Sequence, residues 1–133
     1  MARRLILDTG LLTNVERGGD GLRAVLANDD DVAVAAVTIA ELQLGVELAT
    51  DEYRQSRQEF VDGVRALIPV EDYTTDVAVV HARLLAHVRR IGKPRGAHDL
   101  IIAATAAATA RVLVTRDDQA RFDDLPGVHS FQP

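Results

Sequence analysis

The sequence predicts an α/β domain, a mostly parallel central sheet flanked by helices on both faces. Three observations carry this. The aliphatic runs "RLIL" (4–7), "VAVAAV" (32–37) and "VLVT" (112–115) are too short for helices and read as buried strands. Stretches with helical spacing separate them, and strands that alternate with helices build a parallel sheet. The chain has 133 residues, of which 47% are hydrophobic, enough for one core of ordinary size and too many for a disordered chain.

Each element follows from its local pattern. After the first strand, "TGLLTNVER" is a helix ended by Gly18 and Gly19, and "GLRAVLAND" is a second short helix. Asp29 to Asp31 form a loop before the second strand. Thr38 opens the helix "TIAELQLGVELA". A polar helix follows over 51–67, with Tyr53, Phe60, Val64 and Leu67 near one face, and "LIPV" (67–70) reads as a third strand. Residues 74–91 hold the clearest helical period, through Val77, Val80, Leu84, Val88 and Ile91. "GKPRG" (92–96) is a loop, His98 to Ala110 a buried helix, and the tail "PGVHSFQP" adds a short edge strand. There is no internal repeat, low-complexity tract or interdomain linker, so 1–133 is one domain.

Composition removes several classes of function. The chain has no cysteine, which excludes a disulfide scaffold and any thiolate metal site. The start "MARRLILDTGLL" has a basic tip, but Asp8 breaks its apolar run, so it does not read as a secretory signal. The longest apolar run, Leu100 to Ala110, is too short to cross a bilayer. The expectation is a soluble, cytoplasmic protein. Fifteen basic against twenty acidic residues give a net charge of −5. Taken alone, that argues against a nucleic-acid partner, except where acids cluster in one place and bases in another.

Four acids stand where chemistry would need them. Asp8 directly follows the first strand and Asp117 follows "VLVT" by one residue, and ligands of open parallel sheets bind beyond the carboxyl ends of strands. Glu41 and Asp99 lie in the first turns of two helices, which begin on the side where strands end. The four can therefore converge. Converging carboxylates repel one another, and a hard divalent cation such as Mg²⁺ or Mn²⁺ is the usual remedy for an all-oxygen set. Such a cation activates water and steadies a leaving oxygen in phosphodiester cleavage. Each acid also has an ordinary structural role open to it. Thr38 and Glu41 have the spacing of a capping box, Asp99 suits a helix N-terminus, and Asp8 and Asp117 suit turns.

The blocks "LILDTGLL", "TIAELQLG", "GAHDLIIAATA" and "VLVTRDDQARF", in that order and spanning Leu5 to about Gly127, resemble the PIN-domain ribonucleases, and among them the VapC-type toxins of bacterial toxin–antitoxin pairs. The resemblance implies a three-layer PIN-like fold and a metal-dependent endoribonuclease that cleaves cellular RNA. It implies that Asp8, Glu41, Asp99 and Asp117 surround Mg²⁺ or Mn²⁺. Asp118, next to Asp117, is the alternative fourth acid. Thr115 resembles a hydroxyl that supports the site, and Thr9 is a further candidate for that role. The partners implied are an RNA substrate, a cognate VapB-type antitoxin and a second copy of the chain.

Outside the acids, Arg89, Arg90, Lys93 and Arg95 precede Asp99 and form a candidate track for RNA phosphates, since Arg makes bidentate phosphate contacts. The alternative is a solvated helix end. Arg116, between Thr115 and Asp117, is a candidate for the mouth of the site. His98 abuts Asp99. His81 and His87 are six residues apart, which does not place them on one helix face, and no histidine pair is assigned as acid and base. Two other α/β families that gather acids at strand ends fit less well. A response-regulator receiver needs a lysine after a late strand, whereas Lys93, the lone lysine, follows a helix. A haloacid-dehalogenase phosphatase needs a second aspartate where Gly10 stands. A rival of another class is a non-catalytic binding module whose acidic cleft holds an Arg-rich partner.

Overall fold

The computed structural model describes residues 2–18, 27, 29–117 and 120–133. In chain order the elements are β1 (Arg4–Leu7), α1 (Thr9–Glu16), β2 (Asp31–Ala35), α2 (Ala36–Glu47), α3 (Asp51–Leu67), β3 (Val70–Glu71), α4 (Thr75–Arg90), α5 (Ala97–Ala108), β4 (Val112–Val114), a 3-10 turn at Phe122–Asp124, and β5 (Ser130–Phe131). The strands form one sheet in the order β3-β2-β1-β4-β5. Every pairing is parallel, including that of the short edge strand β5.

Alternation along the strands divides the core between two helical layers. Leu5, Leu7, Val34 and Val114 pack with Leu11 and Leu12 of α1, Leu42 and Val46 of α2, and Val61 and Val64 of α3. Ile6, Ala35 and Leu113 face the other way, against Val77, Leu84 and Val88 of α4 and the small residues Ala103, Ala104 and Ala106 of α5. The three layers are therefore helices, sheet, helices. From β1 the chain steps to β2 and β3 on one side, then returns to place β4 and β5 on the other. The reversal point lies between β1 and β4, which is where such sheets open a crevice for ligands.

Four expectations shift. Helix α2 begins at Ala36, with Ala35 as its cap and no side-chain cap hydrogen bond. Thr38 thus lies inside the helix and does not open it. The apolar run 32–37 hides this boundary, because Ala36 and Val37 suit a buried helix turn as well as a strand. The third strand is Val70–Glu71 rather than 67–70, because α3 runs on through Leu67 and Pro69 has no N–H for the ladder. On α3 the buried residues are Val61 and Val64, while Tyr53 is 54% and Leu67 84% exposed. The apolar stripe is thus centred one residue beyond Phe60. On α4 the stripe holds through Val77, Leu84 and Val88, but Ile91 is exposed. Residues 21–26 and 28 of the expected second helix, and Asp118, lie outside the described residues.

One buried cation ties the sheet together away from the reversal point. Arg111 is 7% exposed. Its Nη1 donates to the carbonyls of Leu5 (3.1 Å) and Asp31 (2.8 Å) and to Asp31 Oδ1 (3.1 Å). Its Nη2 donates to Glu71 Oε1 at 3.0 Å. One guanidinium thus joins the approach to β4 with β1, β2 and β3. Removing it takes a buried donor from two carbonyls and from Glu71 and Asp31, of which Asp31 keeps Arg4 at 2.8 Å, and breaking a buried pair is costly. Arg111→Ala should lower the unfolding free energy by roughly 3 kcal/mol, measured by urea denaturation. A loss within about 0.5 kcal/mol, the range of an ordinary surface change, would show that solvent replaces the network.

Candidate active site

The acids gather at the reversal point. Asp8 leaves β1 in extended conformation and caps α1, with its side chain accepting from Leu11 N. Oδ1 makes that bond at 3.1 Å, and Oδ2 accepts from Thr115 Oγ1 at 2.5 Å. Thr115 directly follows β4, and its hydroxyl oxygen also accepts from Asp117 N at 3.0 Å. Asp8 and Thr115 are both buried, at 6% and 3% exposure. Asp117 is exposed, and its Oδ1 accepts from Ala120 N at 3.1 Å.

Glu41 enters from the second turn of α2. Its Oε1 accepts from Thr9 Oγ1 at 2.7 Å, and its Oε2 lies 3.3 Å from His98 Nδ1. The capping box expected of Thr38 and Glu41 is therefore not formed, since Glu41 reaches across to α1 and α5. Asp99 stands in the first turn of α5, behind the uncapped Gly96. Among the described residues, no hydrogen-bond donor meets its carboxylate. A Cβ built on Gly96 would come within 3.2 Å of Asp99 Oδ2, so glycine leaves this carboxylate its room.

Asp8, Glu41, Asp99 and Asp117 line one cleft of about 470 Å³. Burial, and then the negative charges of Asp8, Asp117 and Glu41, push the Asp99 carboxyl above its ordinary range, while Arg95 pulls the other way. That upward shift is what burial and neighbouring acids together produce where a nearby cation offsets them only in part. Among the described residues, no three acids or imidazoles have closed to the spacing of a single ion's direct ligands. The cleft is an open bowl of oxygens. Its wall also holds Asn14, whose Oδ1 is buried without a hydrogen-bond partner among the described residues.

The candidate cations fall in different places. Lys93 and Arg95 border a hollow shared with Asp99 and Asp117. The Arg95 guanidinium donates to the carbonyl of Ala120, which holds its loop against the segment after β4. Arg89 borders a neighbouring hollow with Arg95 and Pro94, and Arg90 is exposed at the end of α4. Arg116 is exposed, and its carbonyl accepts from Gln132 Nε2 at 3.4 Å.

A family model described as PIN domain matches residues 5–128. The chain belongs to the PIN-domain family. It is 35% identical over 130 residues to Ribonuclease VapC5 of Mycobacterium tuberculosis, a match that covers 96% of this chain and 91% of that protein. It also matches a chain in the crystal structure of VapBC-5 from Mycobacterium tuberculosis, a member of the VapBC family of toxin–antitoxin systems. There the TM-score is 0.78 at 30% identity, over 98% of both chains. A chain in the crystal structure of VapBC2 from Rickettsia felis bound to a DNA fragment from their promoter gives a TM-score of 0.88 over 98% of both chains. At 22% identity that likeness is one of fold. Within the PIN-domain family the chain is of the VapC type.

Sequence reasoning missed part of the wall of this PIN-domain cleft. Thr13, Asn14 and Arg17 all line it. The signal was present, since Thr13 in α1 and Arg17 at its C-cap follow Thr9, the residue after Asp8, at intervals of four and so share its face. No helix among the described residues is long and apolar enough to cross a membrane.

The raised pKa of Asp99 has a definite sign. Its charged form is disfavoured in the native state, so its ionisation lowers stability as pH rises from the ordinary carboxylate value through the raised one. Asp99→Asn removes that penalty and forfeits a helix-dipole contribution of about 0.3–1 kcal/mol. Without divalent cation at neutral pH, the variant should melt at the parent's temperature or above. Any gain should vanish as the parent's Asp99 is protonated in acid. Thermal scans in chelator across pH 3–8 (about the carboxylate range) test this. A variant melting several degrees below the parent at neutral pH would mean that the charge stabilises the fold.

Proposed function

We propose that this chain is a metal-dependent endoribonuclease toxin of the VapC type, which cleaves cellular RNA and is neutralised by a cognate antitoxin. The observation that carries the reading is the convergence of four carboxylates on one cleft at the sheet's reversal point, in a chain of this family. Asp8, Glu41, Asp99 and Asp117 are the residues that would hold Mg²⁺, or Mn²⁺ in its place. An all-oxygen bowl wider than a single ion's direct shell suits a cation that keeps several waters. A cation held there supplies Lewis acidity toward a phosphodiester and lowers the pKa of water.

The chain's own groups do the rest. Thr115 and the Leu11 N–H fix both oxygens of Asp8, so that acid is oriented before any ligand arrives. Thr9 does the same for one oxygen of Glu41. Among the described residues no donor meets Asp99, and burial and its acidic neighbours raise its proton affinity, which a nearby positive charge would relieve. Lys93 and Arg95, beside Asp99 and Asp117, are placed to draw a phosphate backbone toward the bowl, with Arg89, Arg90 and Arg116 further along the surface. His98 touches Glu41, and the other three imidazoles do not line the cleft. No histidine pair therefore stands ready to activate a ribose 2′-hydroxyl.

Water should be the nucleophile, leaving a 5′-phosphate and a 3′-hydroxyl. Incubation with total cellular RNA, with end-group mapping of the fragments, should show those ends. Cleavage should stop in chelator and return with Mg²⁺ or Mn²⁺. Cyclic 2′,3′-phosphate ends, or undiminished cleavage in chelator, would overturn the mechanism and leave the acidic cleft as a binding surface.

The cationic track makes a separate prediction. Reversing Arg89, Arg90, Lys93 and Arg95 together should weaken RNA binding and flatten its salt dependence, by a slope of about 0.7 for each single-strand phosphate no longer neutralised. Binding titrations at several salt concentrations measure this. An unchanged slope would place the RNA on another surface.

A further inference from the structure

We propose that Thr38 is a positioning residue for Glu41, acting through the Thr9 hydroxyl, and that it thereby sets the affinity of the acidic bowl for a divalent cation. The proposal rests on the metal-site reading above.

Thr38 is fully buried, at 0% exposure, in the first turn of α2. Its hydroxyl is used unlike those of Thr13 and Thr105 within helices and of Thr109 at the end of α5. Thr13, Thr105 and Thr109 each donate to the carbonyl four residues back, at 3.0, 2.7 and 2.7 Å. Thr38 instead meets Thr9 Oγ1 at 3.1 Å, across the gap between α2 and α1. Thr9 Oγ1 in turn lies 2.7 Å from Glu41 Oε1.

Proton counting gives this chain a direction. An ionised carboxylate only accepts, and a hydroxyl has one proton. The proton of Thr9 therefore goes to Glu41, and Thr38 must be the donor to Thr9. The order is Thr38 to Thr9 to Glu41, with each donor polarising the next bond. Glu41 is a long side chain that would otherwise sample many rotamers. The relay fixes Oε1 and leaves Oε2, 3.3 Å from His98 Nδ1, as the oxygen not committed to a hydroxyl. Thr38 and Glu41 have the spacing of a capping box, but α2 starts three residues too early for Thr38 to cap it. The pair serves the bowl instead.

The test is Mn²⁺ affinity by titration calorimetry, with melting curves to confirm folding. Thr38→Val keeps the shape and loses the hydroxyl, and should weaken Mn²⁺ binding about fivefold, the scale of one neutral hydrogen bond. Thr38→Ser should retain parental affinity. On a Glu41→Gln background, Thr38→Val should cost nothing further. Parental affinity in Thr38→Val, equal weakness in Thr38→Ser, or the same loss on the Glu41→Gln background would each overturn the proposal. Should Thr38→Val fail to fold, Thr9→Val against Thr9→Ser decides the same question at a more accessible position, with parental affinity in Thr9→Val the overturning result. If Glu41→Gln alone leaves Mn²⁺ affinity unchanged, the metal-site reading itself falls, which is a different failure from that of the relay.

Discussion

The hydrogen bond from Thr115 to Asp8 joins the ends of the two strands between which the sheet reverses. β1 and β4 are parallel neighbours, in register from Leu5 and Val112 to Leu7 and Val114. The ladder extends one step further, from Asp8 N to the carbonyl of Val114. The side chains then take over, with Thr115 Oγ1 donating to Asp8 Oδ2 and accepting from Asp117 N. One hydroxyl thus fixes an acid from each side of the reversal. It can do so because β1 and β4 are parallel neighbours, so that both strands deliver their next residue to the same edge. The register of the core and the geometry of the site are one constraint.

Parallel packing also explains which parts of the chain were legible in its sequence. "RLIL" and "VLVT" are bounded by polar residues, and their buried strands end within a residue of expectation. The α4 period survives because Val77, Leu84 and Val88 meet α5 along one stripe. The join at Ala35 and Ala36 was illegible, since a buried strand passes into a buried helix there with no capping side chain to mark the change. Thr38 shows the cost of that ambiguity. Read as a cap, it belongs to the helix start. One turn further in, the same hydroxyl faces Thr9.

The acids themselves were found by position, because the strand end and the helix start are features of sequence pattern. Of their supporting groups, Thr115 and Thr9 were named through the family resemblance, and none through local spacing. The contacts of Glu41 with Thr9 and His98 join residues far apart in the chain, and local spacing does not report them. The same holds away from the reversal point, where Arg111 joins Leu5, Asp31 and Glu71. In the sequence it was only the residue before a strand. Its burial follows from β4 standing beside β1, a fact of topology.

The two polar centres solve opposite problems, and their donors differ accordingly. Around Arg111 a buried cation meets carboxylates, so charge cancels within the fold and nothing remains for a ligand. At the bowl, both oxygens of Asp8 are held by a hydroxyl and a backbone N–H, and Oε1 of Glu41 by a hydroxyl, while His98 Nδ1 stands 3.3 Å from its Oε2. Neutral donors orient a carboxylate without neutralising it. A lysine in place of Thr9 or Thr115 would hold an acid as firmly, but it would cancel that acid's charge. Asp99, left without such a donor, carries the remaining strain as a raised proton affinity. The bowl is therefore ordered in shape and rich in acid, and Arg17 on its wall and Arg95 near Asp99 offset that charge only in part.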